Sequence, residues 1–203
     1  MQLRVQQEFV SLQGTGQLVG TPQYFVRLSG CSVKACPIRR ECDEPDALHK
    51  NRGENQDPKE VALRAVRQMG RGGWLHITGG EPLDQREAVE ALALEAEKVG
   101  LRIHYQTSGV WPPLPRWDWV TVSPKTGLED MKVIQGNELV LLDQGQGMDE
   151  LREITRRTFF WSYFLQPIWG RSRTDTIARV HLANRCGMPW RFTDQMHKVW
   201  EVM

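Results

Sequence analysis

The sequence predicts an α/β fold in one domain, an open or partial (β/α) barrel with about six core strands. Three observations lead there. From Trp74 to Gln106, short apolar runs bounded by turn residues alternate with helical periods, the order of parallel strands joined by crossover helices. The helical segments carry explicit start and stop residues. The residues with unusual chemistry fall directly after predicted strands, at the C-terminal strand ends where such folds place their sites.

Residues 5–9 alternate and read as a first strand. Residues 11–20, with Gly14, Gly16 and Gly20, read as a loop of close backbone approach. Residues 24–28 form the next strand. Residues 44–56 are polar and irregular, an excursion inserted in a single domain over 1–203. Asp57-Pro58-Lys59-Glu60 is a helix start, with a capping aspartate, proline at the first position and glutamate placed for a capping box. Ala62, Ala65, Val66 and Met69 keep helical spacing up to Gly70. A strand over 74–78, a helix from about 85 to 99 stopped by Gly100, and a strand over 101–106 follow. Beyond them lie strands at 119–122 and 138–142 and a helix at 148–158. Residues 159–165 form a strongly apolar, buried strand. A helix at 174–185 opens on Thr174, and 190–193 form a last strand.

The chain has 203 residues, with 26 lysines and arginines against 25 aspartates and glutamates, a net charge of +1. That balance gives no bulk attraction for nucleic acid. No apolar run approaches the ~18 residues that span a bilayer, and the first residues lack the apolar core of a signal peptide. A cytoplasmic protein with reduced thiols and no membrane or nucleic-acid partner is expected.

Three of the four cysteines, Cys31, Cys36 and Cys42, share the loop after the 24–28 strand. An odd number of thiols on so short a loop is suited to a soft metal or an iron–sulfur cluster rather than to disulfides. Spacing alone leaves two readings open. With His49 as fourth ligand, the set would hold structural zinc in a non-enzymatic domain. Three thiolates on a four-iron cluster would instead leave one iron open to a ligand. Cys186 stands apart and reads as a buried free thiol. Thr78-Gly79-Gly80-Glu81-Pro82 favours the second reading, because it follows a strand, precedes a helix, and its glycines let a ligand approach the backbone.

With three cysteines after one barrel strand and Gly-Gly-Glu-Pro after the next, the chain resembles the radical S-adenosylmethionine enzymes. It is most similar to the 7-carboxy-7-deazaguanine synthase family. The matching segments run through nearly the whole chain: residues 9–14 with Gly16 and Gly20, Pro22, residues 25–31, 78–83, 107–109, 123–125, Gln166-Pro167 and 195–198. The resemblance implies a partial barrel of the radical S-adenosylmethionine type. Cys31, Cys36 and Cys42 would ligate a 4Fe–4S cluster, whose open iron binds the amino and carboxylate groups of S-adenosylmethionine. Gly79, Gly80 and Glu81 would hold the amino group, and Ser123, Lys125 and Gln166 the rest of that cofactor. Leu12, Gln13, Thr15, Arg27, Thr78 and His197 would bind the pterin, with Arg27 a natural fork for its carboxylate. The implied reaction converts 6-carboxy-5,6,7,8-tetrahydropterin to 7-carboxy-7-deazaguanine with loss of ammonia, through a 5′-deoxyadenosyl radical. Mg²⁺, a homodimer and a reducing donor such as flavodoxin or ferredoxin are also implied. An activating enzyme on the same scaffold is the neighbouring alternative, which leaves Arg27 and residues 195–198 unexplained.

The chain departs from the family in three places. Its cysteines are separated by four and then five residues rather than three and two. Glu44 stands where the family has the threonine that ligates Mg²⁺; a carboxylate suits that ion. Thr15 replaces a glutamate that contacts the pterin ring, removing an acceptor worth roughly 1.5–3 kcal/mol when charged.

Overall fold

Period-two alternation along the strands decides which residues meet the helices and which meet the site. The structure, a computed structural model, describes residues 2–203. Strands β1 (Leu3–Leu12) and β2 (Pro22–Leu28) pair antiparallel, and β3 (Glu54–Gln56) adds antiparallel to the other side of β1. From β2 onward all pairing is parallel, through β4 (Trp74–Gly79), β5 (Arg102–Thr107), β6 (Trp119–Val122), β7 (Gln135–Asp143), β8 (Phe159–Pro167) and β9 (Trp190–Phe192). The order is β3-β1-β2-β4-β5-β6-β7-β8-β9, so the sheet is open and matches the expected partial barrel. Its six core parallel strands, β2 and β4 to β8, are the six anticipated.

Helices α1 (Pro58–Met69), α2 (Arg86–Val99), α3 (Met148–Arg157) and α4 (Arg173–Arg185) supply the outer layer, and α5 (Met196–Val199) is a single turn. Val26, Leu28, Leu75, Ile77, Ile103, Tyr105, Val120, Val122, Leu139, Leu141 and Leu165 share one core with Val61, Ala65, Val89, Leu92, Leu151 and Ile154 of the helices. Each such aliphatic side chain, fully buried, contributes about 1.5–3 kcal/mol. The alternate residues, Phe25, Arg27, His76, Thr78, Gln106, Ser123 and Gln166, face a cavity instead. Among the described residues no helix is long and apolar enough to cross a membrane.

The α1 cap is as expected, with Asp57 Oδ1 accepting from Lys59 N at 2.8 Å, and Gly100 ends α2 in a left-handed conformation. Four expectations are corrected. The cap of α4 is Ser172, which accepts from Asp175 N, rather than Thr174. Phe159 and Trp161 are 71% and 80% exposed on either side of the buried Phe160, so the 159–165 strand is not buried throughout. Successive side chains alternate between the two faces of a strand, so Phe160 can be buried while its neighbours on the other face stand in solvent. Cys186 is exposed, because it caps the C-terminus of α4 rather than entering the core. The 44–56 excursion is partly ordered: Ala47 is fully buried, its carbonyl accepts from Gly30 N at 2.8 Å, and Glu54–Gln56 is β3.

Candidate active site

The loops after β2, β4, β6 and β8 converge with the 13–15 loop and the 195–197 segment on one cavity of about 260 Å³. Cys31, Cys36, Cys42, Glu44, Gly79, Gly80, Ser123, Lys125 and Gln166 line it, together with Leu12, Gln13, Thr15, Arg27, Thr78 and His197. These residues span the chain from position 12 to 197, and only the sheet order brings them together.

Glu81 alone among the expected site residues does not line the cavity. It is 1% exposed and lies behind the wall. Oε2 accepts from Ser108 N (2.9 Å) and Ser108 Oγ (2.5 Å), while Oε1 accepts from Thr107 Oγ1 (2.7 Å) and Leu83 N (3.1 Å). Burial pushes its carboxyl up, and these hydrogen bonds pull it back toward ionisation. Glu81 thus pins the loop after β5 to the loop after β4. The paired glycines also have an internal reason. A Cβ on Gly79 would stand 2.2 Å from Leu28 O, and one on Gly80 would stand 2.1 Å from Gly30 O. Backbone bonds cross at the same place, Gly80 N to Leu28 O (3.0 Å) and Glu81 N to Gly30 O (3.0 Å). The glycines let the base of the cysteine loop lie flat on the Gly-Gly turn.

The three thiols lie beside Lys125, whose Nζ donates to Ser123 Oγ (2.5 Å) and Ser123 O (3.1 Å). Burial draws the Lys125 ammonium down, opposed by Cys36, Cys42 and Glu81. Burial also raises the thiols of Cys31 and Cys42, with Arg39 opposing it at Cys31. Iron, which binds thiolate, reverses that penalty. Among the described residues no three Cys, His, Asp or Glu side chains gather tightly around a single-ion position, and His49 does not line the cavity. With His49 off the cavity that the three thiols line, the all-thiol donor set suits an iron–sulfur cluster better than a four-ligand zinc site.

At another part of the lining Arg27 sits directly across the β1–β2 pair from Gln7, and its Nη1 donates to Gln7 Oε1 at 2.6 Å. Nη2 meets Glu44 Oε1 at 2.5 Å, the guanidinium lies 5.0 Å from the centre of the Phe9 ring, and Nε is buried without a partner among the described residues. Leaving such a donor unmade costs about 1–3 kcal/mol. Burial draws the guanidinium down and the Glu44 carboxyl up, so desolvation outweighs the attraction of the pair on both sides. Gln13 Nε2 is likewise buried without a partner.

Below them, His76 is stacked between Phe25 (4.6 Å) and His104 (3.8 Å), and both of its ring nitrogens are unpartnered. His104 bridges Gln23 (3.0 Å) and Thr121 (2.8 Å), and Thr121 bonds the buried Glu138 (2.6 Å). The C-terminal segment closes the remaining side. Met196 N donates to Gly14 O (2.9 Å), and Gly14 makes room for His197, whose Nδ1 would lie 2.0 Å from a Cβ there. Asp43 is held by Gln195 Nε2 and Lys198 Nζ, both at 2.6 Å.

Sequence reasoning missed Gln7, His76 and the Asp43 tie. Gln7 and Asp43 act through partners distant in the chain, while His76 carried a readable signal, an imidazole in an otherwise apolar run just before Thr78.

No family model matches the chain, but curated relatives do. It is 31% identical over 201 residues to the 7-carboxy-7-deazaguanine synthase of Synechocystis sp., covering 96% of this chain and 90% of that protein. Identity to the Flavobacterium psychrophilum protein of the same name is 33% over 202 residues, 97% of this chain and 90% of that one. The Burkholderia multivorans protein of that name is 31% identical over 213 residues, 98% of each. A crystal structure of QueE from Escherichia coli shares the fold, with a TM-score of 0.70 at 24% identity over 97% of this chain and 95% of that one. Full-length similarity at this level, on a scaffold that gathers the expected thiols, glycines and arginine at one cavity, places the chain in the 7-carboxy-7-deazaguanine synthase family.

Proposed function

We propose that this chain converts 6-carboxy-5,6,7,8-tetrahydropterin to 7-carboxy-7-deazaguanine with loss of ammonia, as a radical S-adenosylmethionine enzyme. The observation that carries the reading is the meeting of three thiols, the Gly79-Gly80 turn, Lys125 and the Arg27 fork on a single cavity. Cys31, Cys36 and Cys42 hold the cluster, and Gly79, Gly80, Ser123, Lys125 and Gln166 hold S-adenosylmethionine against it. Glu81 positions this wall from behind through Thr107 and Ser108. A bound cluster and S-adenosylmethionine would supply the radical chemistry that removes a hydrogen from the substrate.

The chain's own residues orient the pterin and keep water out. Arg27 takes its carboxylate, and Leu12, Gln13, Thr15, Thr78 and His197 surround the ring. Gln13 Nε2, buried and unpartnered, is suited to a ring carbonyl. Phe9, Phe25, Val33, Ile38 and Leu142 give the cavity an apolar lining that shields a radical. Glu44 is the Mg²⁺ ligand in this reading, since that ion is commonly held by one or two carboxylates plus substrate groups. A homodimer and an external flavodoxin- or ferredoxin-like donor complete the proposal. The exposed Phe159 and Trp161 offer an apolar face for a second copy.

The test is an anaerobic incubation with reductant, S-adenosylmethionine, Mg²⁺ and 6-carboxytetrahydropterin, read by mass spectrometry. Both 5′-deoxyadenosine and 7-carboxy-7-deazaguanine are expected. Cleavage without the deazaguanine would refute the substrate, and neither product from a cluster-loaded protein would refute the catalytic reading.

A further inference from the structure

Glu44 occupies half of the fork assigned above to the substrate. A carboxylate seated side-on against a guanidinium places one oxygen on Nε–H and the other on Nη2. Here Gln7 takes Nη1, Glu44 Oε1 takes Nη2, and Nε–H is buried with no partner among the described residues. The substrate's carboxylate, with two oxygens to place, would satisfy both positions but meets Glu44 at Nη2. Two carboxylates against one guanidinium leave a net negative charge in a half-buried site, which is unfavourable without a further cation.

We propose that Glu44 is an exchange partner for Arg27, drawn off the fork by a divalent cation so that the pterin carboxylate can seat on Nε and Nη2. The proposal rests on reading this wall as a carboxypterin site. The neighbouring carboxylate cannot take the cation as readily, because Lys198 and Gln195 hold both oxygens of Asp43. Glu44 has only the Arg27 contact to give up, and its side chain is 39% exposed, free to turn. The cation and the substrate carboxylate therefore bind with mutual reinforcement that passes through one side chain, and by linkage each tightens the other equally.

The experiment follows 6-carboxypterin, an oxidised analogue that lacks the hydrogen to be abstracted, by its own fluorescence as it binds cluster-reconstituted protein with and without Mg²⁺. In the wild type, Mg²⁺ should lower the Kd about tenfold or more. In Glu44→Gln, with cluster absorbance unchanged, the Mg²⁺-free Kd should already approach the wild-type value with Mg²⁺, leaving a metal effect of about twofold or less. Pterin without its carboxylate should show no metal effect in either protein. A wild-type Kd indifferent to Mg²⁺, or a full metal effect surviving in Glu44→Gln, overturns the exchange. If 6-carboxypterin fails to bind while S-adenosylmethionine is still cleaved, the substrate reading falls and takes the exchange with it.

Discussion

The two walls of the cavity are built in opposite ways. On the thiol side the polar groups are satisfied internally: Glu81 accepts from four donors, Lys125 rests on Ser123, and backbone bonds stitch the cysteine loop to the Gly-Gly turn. The other wall carries unpartnered buried donors at Arg27, Gln13 and His76, and an ion pair whose burial works against it. A satisfied wall fixes geometry, as a cofactor that must be held in one orientation requires. Polar groups left unpartnered make a wall sensitive to what enters, because a ligand that pairs them gains what an ordinary apolar surface would not offer.

The contrast can be broken most sharply on the thiol side. Gly80→Ala forces a Cβ to 2.1 Å from Gly30 O, where backbone meets backbone and neither yields. It should cost roughly 3 kcal/mol or more and prevent cluster loading, read as lost visible absorbance after reconstitution. A normally loaded, normally stable variant would show that the turn has slack. On the other wall a change should act on one ligand only. Arg27→Lys keeps the charge and removes the fork, so 6-carboxypterin should bind about 100-fold more weakly while S-adenosylmethionine cleavage changes by less than about threefold. Equal losses would assign Arg27 to the scaffold.

The smallest effect lies beneath that wall. Burial pushes the His104 imidazole down to about 3, so the native state keeps it neutral where the unfolded chain protonates near 6.5. A depressed imidazole contributes stability that is present above the unfolded value and lost as pH falls below it. Between pH of about 7 and about 5 that loss is about 2 kcal/mol, and His104→Gln should lose about that much less than wild type over the same interval. Thermal melts of the two proteins would decide it; parallel curves would mean that His104 is not buried neutral.

Much of this was legible in the chain. Strands β4, β5 and β6 and helices α1 and α2 announce themselves because their signals are local: an aspartate cap, a proline, a glycine stop, a short apolar run. What was not legible depends on register and direction. Gln7 reaches Arg27 only because the antiparallel pairing sets them opposite each other. The motif names Glu81, but its carboxylate turns to Leu83, Thr107 and Ser108 rather than into the cavity. The apolar run at the start of β8 likewise gives no sign that Phe159 and Trp161 stand in solvent while Phe160 between them is buried. Local signals thus name residue types, while the direction each side chain takes depends on pairing and packing elsewhere in the fold.

An open sheet of nine strands has two free margins, each a row of unpaired amides and carbonyls able to recruit another chain. Here the outermost strands, β3 and β9, are only three residues long, and β3 is the wholly polar Glu54-Asn55-Gln56; beyond them each margin steps back to β1 or β8. Short outermost strands break each margin into steps rather than one long flat edge, which disfavours pairing edge to edge while leaving the sheet unclosed. A protein that must remain open at its rim can in this way stay dispersed at high concentration.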